Sequence, residues 1–181
     1  MKLSDLRHGD IILYEKSKRA NLFVRGIRLI TGSQFTHVGM VIKDTETNYN
    51  LGCIIFIEQL AARTISIGEI YTTESAEVLH VVRPNFGKPA ALSKEFARHK
   101  TYGYLCILDA LINHFIGLFN DNYTYRQFVG QWSKNITCSG LVAELLNTSN
   151  YMYFRIPQAV EPNWFIRETN KFTYLGILDV T

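Results

Sequence analysis

Secondary-structure signals change in kind along this chain, and their order is the strongest constraint on its fold. Short β-rich apolar runs separated by glycine, proline and polar residues fill the first half, whereas apolar residues at helical spacing dominate after Pro89. The strand-like runs lie at 10–15, 37–43, 53–58, 63–67, 77–83 and 171–178. Helical spacing is found at 21–30, 90–98, 104–119 and 138–147. Because strands and helices occupy largely separate stretches, we predict a segregated α+β domain.

The length and composition predict one folded domain. The chain has 181 residues, of which 47% are hydrophobic and 19% charged, and it contains no repeat or flexible linker. A chain of this size buries one substantial core, so residues 1–181 are expected to form a single domain. The same composition excludes a disordered or collagen-like protein.

Neither the charge nor the motifs indicate a protein that binds nucleic acid, a metal or a cofactor. The formal net charge of +3 is spread along the chain, and the aromatic residues do not alternate with a basic stripe. The sequence has no HExxH, CxxC, GxxxxGK[ST], GxGxxG or GxSxG motif. We therefore expect no nucleic-acid partner, no metal and no cofactor, and the sequence leaves the oligomeric state open.

Cysteine usage and apolar segments bear on where the protein acts. Three cysteines, Cys53, Cys106 and Cys138, favour reduced thiols over a disulfide framework. The opening MKLSDLRHGD lacks the apolar run of about 7 to 15 residues that an export signal needs. The segment 104–119 contains polar residues and is shorter than the roughly 20 residues of a spanning helix. We expect a cytoplasmic protein without an integral membrane segment, which would act outside a cell only after another form of delivery, such as by a bacteriophage.

Cys138 is the residue that most directly suggests chemistry. In TCSGLVAELLN it follows Thr137 and opens an apolar stripe with helical spacing, which predicts a helix N-terminus. Unpaired backbone N–H groups and the helix dipole favour a thiolate there, typically by about 0.3 to 1 kcal/mol, and could also stabilise an oxyanion. The alternative role is that of a small core residue, since free cysteine is among the most buried residue types.

A thiol nucleophile needs a base, and His37 is the best-placed histidine. It begins the strand-like run HVGMVIK directly after a turn-like segment, and strand alternation places it on one face with Gly39. The alternative is a strand-end histidine with local hydrogen bonds. The other histidines are predicted to be structural or solvated: His80, His114, His8 and His99.

Strand register supplies a third candidate, Glu58. If the strand that begins at His37 pairs antiparallel with the next one through a turn near 47–48, His37 lies directly opposite Glu58. The carboxylate would then hold one ring nitrogen and leave the other facing the thiol. A one-residue slip would instead bring Gln59 or Ile57 opposite, with Gln59 as the fallback orienter. Without this pairing, Glu58 is a solvated strand end.

Five segments of the chain together resemble a known family. They are, in order, RHGDIILY, TGSQFTHVGMVI, IFIEQ, TYGYLCILDALI and TCSGLVAELL. Spread over residues 6–157, they resemble the permuted papain-like amidase family of the YaeF/YiiX type, a branch of the NlpC-type cysteine peptidases. In that family the histidine and polar residue precede the cysteine, the reverse of ordinary papain-like enzymes. The resemblance implies a circularly permuted papain-like α+β fold, in which an antiparallel, barrel-like sheet packs against helices and Gly9–Asp10 opens the first strand.

The resemblance also implies roles for individual side chains. Cys138 in TCSGLV matches the nucleophile, His37 in THVGMV the base and Glu58 in IFIEQ the polar orienter. Tyr102 resembles the tyrosine that such enzymes place near the oxyanion, although Gly103 follows it where an acidic residue is common.

The activity implied by the resemblance is that of a cysteine peptidase or amidase, a thiol hydrolase that uses a Cys–His–Glu triad. The expected substrate is a peptide amide, such as one in the peptides of cell-wall peptidoglycan. Two alternatives stay open: a lipid-directed thiol acyltransferase or esterase, since related permuted folds act on acyl chains, and a non-catalytic binding module or virion component. The segment 120–135 could be a lid or a connection.

Overall fold

Strands fill most of the first half of the chain and helices lie mainly in the second. The computed structural model describes residues 1–15, 28, 32–42, 55–58, 66–69, 78–86, 101–102, 104–117, 119, 135–148 and 160–179. Within them the strands are β1 (Ile11–Glu15), β2 (Phe35–Ile42), β3 (Ile55–Glu58), β4 (Ser66–Glu69), β5 (Val78–Pro84), β6 (Thr101–Tyr102), β7 (Asn135–Ile136) and β8 (Phe172–Ile177). The helices are α1 (Tyr104–Gly117), α2 (Cys138–Thr148), the short α3 (Trp164–Arg167) and a 3-10 turn at Leu3–Asp5.

Six of these strands form one antiparallel sheet in the order β4-β3-β2-β1-β5-β8. The last strand along the chain therefore returns to pair with β5 at one edge. Among the described residues β4 and β8 are the two edges and do not pair with each other, so the sheet is open. The α+β class is confirmed, whereas the expected barrel-like closure is not found in this part of the chain.

The central strand β1 is buried because both faces of the sheet are covered. Ile11 and Leu13 belong to a core cluster that includes Leu141, Val142 and other apolar residues of α2. Ile12, between them, packs in a second cluster on the other face. Alternate residues of a strand point to opposite faces, so one short apolar run supplies both cores.

Gly9 and Asp10 fasten the start of β1 to its neighbours, as expected of a structural opening. Gly9 has a φ of 89°, a conformation that glycine adopts readily, and its N–H donates to the Val41 carbonyl at 2.8 Å. Arg83 on β5 donates to both carboxylate oxygens of buried Asp10 at 2.7 Å. This hydrogen bonding outweighs the effect of burial and raises the pKa of Arg83.

The secondary-structure predictions hold where the structure describes the chain. The predicted strands at 10–15, 37–43, 53–58, 77–83 and 171–178 correspond to β1, β2, β3, β5 and β8, and β4 begins three residues after the start of the predicted run 63–67. The predicted helices 104–119 and 138–147 correspond to α1 and α2. Those at 90–98 and, except for helical Arg28, at 21–30 lie outside the described residues. No helix in the described part has the length and apolar character needed to cross a membrane.

Candidate active site

The start of α2 is built by Thr137, the residue immediately before the helix. Its carbonyl accepts the Leu141 N–H at 2.9 Å, and its Oγ1 accepts the Gly140 N–H at 3.0 Å. This is the hydrogen-bonding pattern of a helix N-cap and makes Cys138 the first helical residue, as the sequence predicts. The next side chain, Ser139, donates from its Oγ to the Val160 carbonyl and ties the helix start to the C-terminal part of the chain.

The entry into β2 determines the position of His37. Ser33 Oγ accepts the Phe35 N–H at 3.2 Å and donates to the Phe35 carbonyl at 3.0 Å, which closes a tight turn before the strand. Tyr14 on β1 lies opposite His37, but the next residue of β1 lies opposite Phe35, so Thr36 is the extra residue of a β-bulge. Bulges redirect side chains, and this one ends the regular pairing of β2 with β1 at His37.

Cys138 and His37 are in contact. A hydrogen bond joins the His37 side chain to the Cys138 sulfur, and the backbone N–H groups of Val38 and Ser139 also donate to it. Burial of the thiol raises its pKa, but the positive charge of His37 and these hydrogen bonds outweigh burial, so the pKa of Cys138 lies below its ordinary value. The structure thus brings together two of the four residues singled out from the sequence.

Strand geometry explains why an amide of β2 also reaches the thiol. The Val41 N–H donates to the Asp10 carbonyl on the β1 side at 2.8 Å. Successive N–H groups point to alternate edges of a strand, so the Val38 N–H points toward the β3 side. The described pairing with β3 begins only at Gly39. The thiol therefore lies at the edge of β2, just past the described end of β3.

The predicted register between His37 and Glu58 is wrong. Glu58 lies opposite Gly39, two residues further along β2 than His37, its predicted partner. A shift of two residues preserves the face, so the register position of Glu58 is diagonal to His37 on the same side of the sheet. Neither predicted slip to Ile57 or Gln59 describes this register, and Gln59 lies outside the described residues.

Tyr102 is placed near the start of α2 by a strand pair that the sequence did not predict. β6 and β7 pair in parallel, with Tyr102 opposite Ile136. Ile136 precedes Cys138 by two residues. Parallel pairing of two such short strands carries no local sequence signal, since it depends on residues more than thirty positions apart.

Buried His80 on β5 has a different environment from half-buried His37. Its Nε2 lies 2.9 Å from Glu15 Oε2, and its Nδ1 lies 2.9 Å from the Tyr174 hydroxyl oxygen. The Phe35 ring contacts it edge-on, with ring centroids 5.1 Å apart. The prediction of a structural role for His80 is confirmed by these satisfied contacts.

The described residues contain no group of three or more histidine, cysteine or acidic side chains arranged to hold a metal ion. No protein-family model matches the chain, and no curated protein matches it either. The Cys138–His37 pair at the helix start is therefore the basis for assigning a function. The pair combines a thiol whose pKa is lowered with an adjacent imidazole, and backbone N–H groups donate to the sulfur.

Proposed function

We propose that the protein is a cysteine hydrolase in which Cys138 is the nucleophile and His37 the general base and acid. The observation that carries the proposal is the hydrogen-bonded Cys138–His37 pair at the start of α2, where the pKa of the thiol is lowered. A depressed thiol pKa together with an adjacent base is the combination that activates cysteine in hydrolases. An apolar core position alone does not require a histidine beside the sulfur.

The reaction follows from the thiolate–imidazolium pair. The Cys138 sulfur attacks the carbonyl carbon of an amide, and His37 gives its proton to the leaving amine as the C–N bond breaks. The acyl group remains on sulfur as a thioester. His37 then takes a proton from water, whose oxygen attacks the thioester carbon, and returns that proton to the sulfur as the acid leaves. The net change is an amide and water converted to an acid and an amine.

The oxyanion of each tetrahedral intermediate needs donors close to the sulfur. We assign this role to the backbone N–H of Cys138, the first residue of α2, because the Gly140 N–H is already accepted by the Thr137 cap. We assign Tyr102 a supporting role there, because its strand pairs beside Ile136 in the segment that leads into Cys138. Glu58 is the proposed orienter of His37. Its register position is opposite Gly39, two residues from His37 and on the same face of the sheet.

The proposed fold is the permuted papain-like one. Two observations support it: the histidine strand β2 precedes the cysteine helix α2 in the chain, and the antiparallel sheet packs against α2 through the core cluster that contains Cys138. In this arrangement the base and the nucleophile come from separate layers of the domain.

The proposed substrate is a peptide amide, such as one in peptidoglycan. Purified protein would be incubated with muropeptides and, in parallel, with acyl lipids, and new amines and released fatty acids would be measured. Amine release from muropeptides that is lost in Cys138→Ser supports the proposal. Absence of turnover in both assays, together with Cys138 alkylation no faster than that of a free thiol, would instead indicate a non-catalytic binding protein or virion component.

One observation favours the lipid-directed activity as the second candidate. Helix α1 exposes Leu108 and Phe115, and Phe119 just beyond it is 78% exposed. Their spacing forms an apolar stripe along one side of the helix, away from the side that carries buried Asp109 and Asn113. Fatty-acid release or acyl transfer by the parent protein, with no new amine from muropeptides, would replace the amidase proposal by this one.

A further inference from the structure

The ring of Tyr14 packs against the imidazole of His37. The two residues are direct cross-strand partners on β1 and β2. Their ring centroids are 5.1 Å apart, and the ring planes are inclined by 54°. Directly opposite residues on antiparallel strands have side chains on the same face, so the contact follows from the register itself.

Tyr14 is itself firmly held. It lies on the central strand, is half-buried, and packs against the second core cluster, which contains Ile12, Val41 and Leu79. Immediately after it the β-bulge interrupts regular pairing. The Tyr14–His37 pair is therefore the last regular pair before the bulge, at the point where the imidazole must be aimed at the sulfur.

A catalytic imidazole works only if the correct nitrogen faces the nucleophile, and papain-like enzymes use a polar partner to hold it. Here the carboxylate predicted for that task, Glu58, lies opposite Gly39 rather than opposite His37. The residue directly opposite His37 on its other neighbouring strand is Tyr14.

We propose that Tyr14 is a positioning residue for His37, and that its aromatic ring restricts rotation of the imidazole so that one nitrogen keeps facing Cys138. The inference rests on the Cys138–His37 pair of the proposed hydrolase. Ring packing of this kind needs the aromatic surface of Tyr14, not its hydroxyl group. A ring beside an imidazolium also favours the charged form, because the π face is electron-rich.

The test is the pH dependence of Cys138 alkylation by iodoacetamide, followed by mass spectrometry of the Cys138 peptide. The variants are Tyr14→Leu and Tyr14→Met, which lack the ring, Tyr14→Phe, which lacks only the hydroxyl, and His37→Ala as the reference for a thiol without its imidazole. Thermal unfolding of each variant is measured beside it. Two ring-deleted variants are used so that one poorly folded protein does not decide the result.

Tyr14→Phe is expected to keep the parent profile. Tyr14→Leu and Tyr14→Met are expected to shift the inflection toward that of His37→Ala, with alkylation at pH values below the parent inflection slowed about tenfold for each unit by which the pKa rises. A purely structural tyrosine would lower the melting temperature without moving the inflection. An unchanged inflection in both ring-deleted variants overturns the inference, as does an equal shift in Tyr14→Phe.

Failure of the inference is distinguishable from failure of the proposed function. If the parent and His37→Ala have the same profile, the thiolate–imidazolium pair is absent and both proposals fall. If those two profiles differ while the ring-deleted variants match the parent, only the role of Tyr14 is lost. Hydrolysis assays on the same proteins then separate an effect on kcat from one on KM.

Discussion

Two histidines on the same sheet show how the partners of an imidazole decide what it can do. His37 and His80 lie on β2 and β5, the two strands that flank β1. The nitrogens of His80 meet Glu15 and Tyr174, which fix it within a hydrogen-bonded chain. His37 bonds the sulfur of Cys138, a group that can give up a proton and then form a covalent bond. The two side chains therefore differ in what they hydrogen-bond.

Strand register separates the two environments. His80 lies opposite Leu13 and His37 opposite Tyr14, and neighbouring residues of β1 point to opposite faces of the sheet. The bulge at Thr36 brings Phe35 to the His80 side. Each imidazole has an aromatic neighbour, and the centroids of the two rings are 5.1 Å apart in both pairs. The contrast between the sites lies in their polar partners rather than in their apolar packing.

The largest expected effect in this comparison comes from the thiol. Cys138→Ser should reduce amide hydrolysis by about 10⁴-fold or more, because a serine hydroxyl beside His37 has too high a pKa to replace the thiolate. The fold should be retained, since the two side chains are similar in size. Amine release is measured beside Cys106→Ser, a thiol control expected to keep activity. A Cys138→Ser protein that retains more than a tenth of parental turnover would remove the nucleophile assignment.

Removal of the His37 imidazole should have the second-largest effect on hydrolysis. His37→Ala is expected to lower hydrolysis by about 10²- to 10⁴-fold. The interactions of His37 depress the pKa of Cys138 against the opposing effect of burial, so their loss moves the inflection of alkylation to higher pH. At neutral pH the thiolate fraction, and hence alkylation of the Cys138 peptide, should fall. Unchanged alkylation at every pH would contradict the pair.

Removal of the His80 imidazole should lower the stability of the fold and leave the reactivity of Cys138 unchanged. His80→Ala leaves Glu15 and Tyr174 without their shared partner and removes a ring that packs on Phe35. We expect a loss of about 1 to 3 kcal/mol in the free energy of unfolding, measured by urea denaturation. The Cys138 alkylation profile should match that of the parent. A shift in that profile would show that the two histidine environments are coupled.

The smallest expected effect concerns the helix cap. Thr137→Ala removes the acceptor for the Gly140 N–H and should cost about 1 kcal/mol of stability. Thr137→Ser keeps a hydroxyl at that position and is the matched control. Urea denaturation of both variants measures the difference. Equal stability of the two variants would mean that the cap contributes little to holding Cys138 in place.

The elements that carry the site were predictable because their signals are local. Thr137 before an apolar stripe marks a helix start, and the apolar run after His37 marks a strand. The placement of Glu58 was not predictable, because register depends on the length and path of the connection between β2 and β3. The contact between Tyr14 and His37 was missed for the same reason: the pairing of β1 with β2 follows no short-range rule.

The α+β class, the strands and helices at the site, and Cys138 and His37 as the reactive candidates can be inferred from the amino-acid sequence. These features depend on periodicity, capping and residue chemistry over a few consecutive positions. The folded structure was needed to show that the imidazole meets the sulfur, that Gly39 rather than His37 lies opposite Glu58, and that Tyr14 packs on the imidazole. Those contacts join segments far apart in the chain, and their geometry is set by strand pairing and core packing acting together.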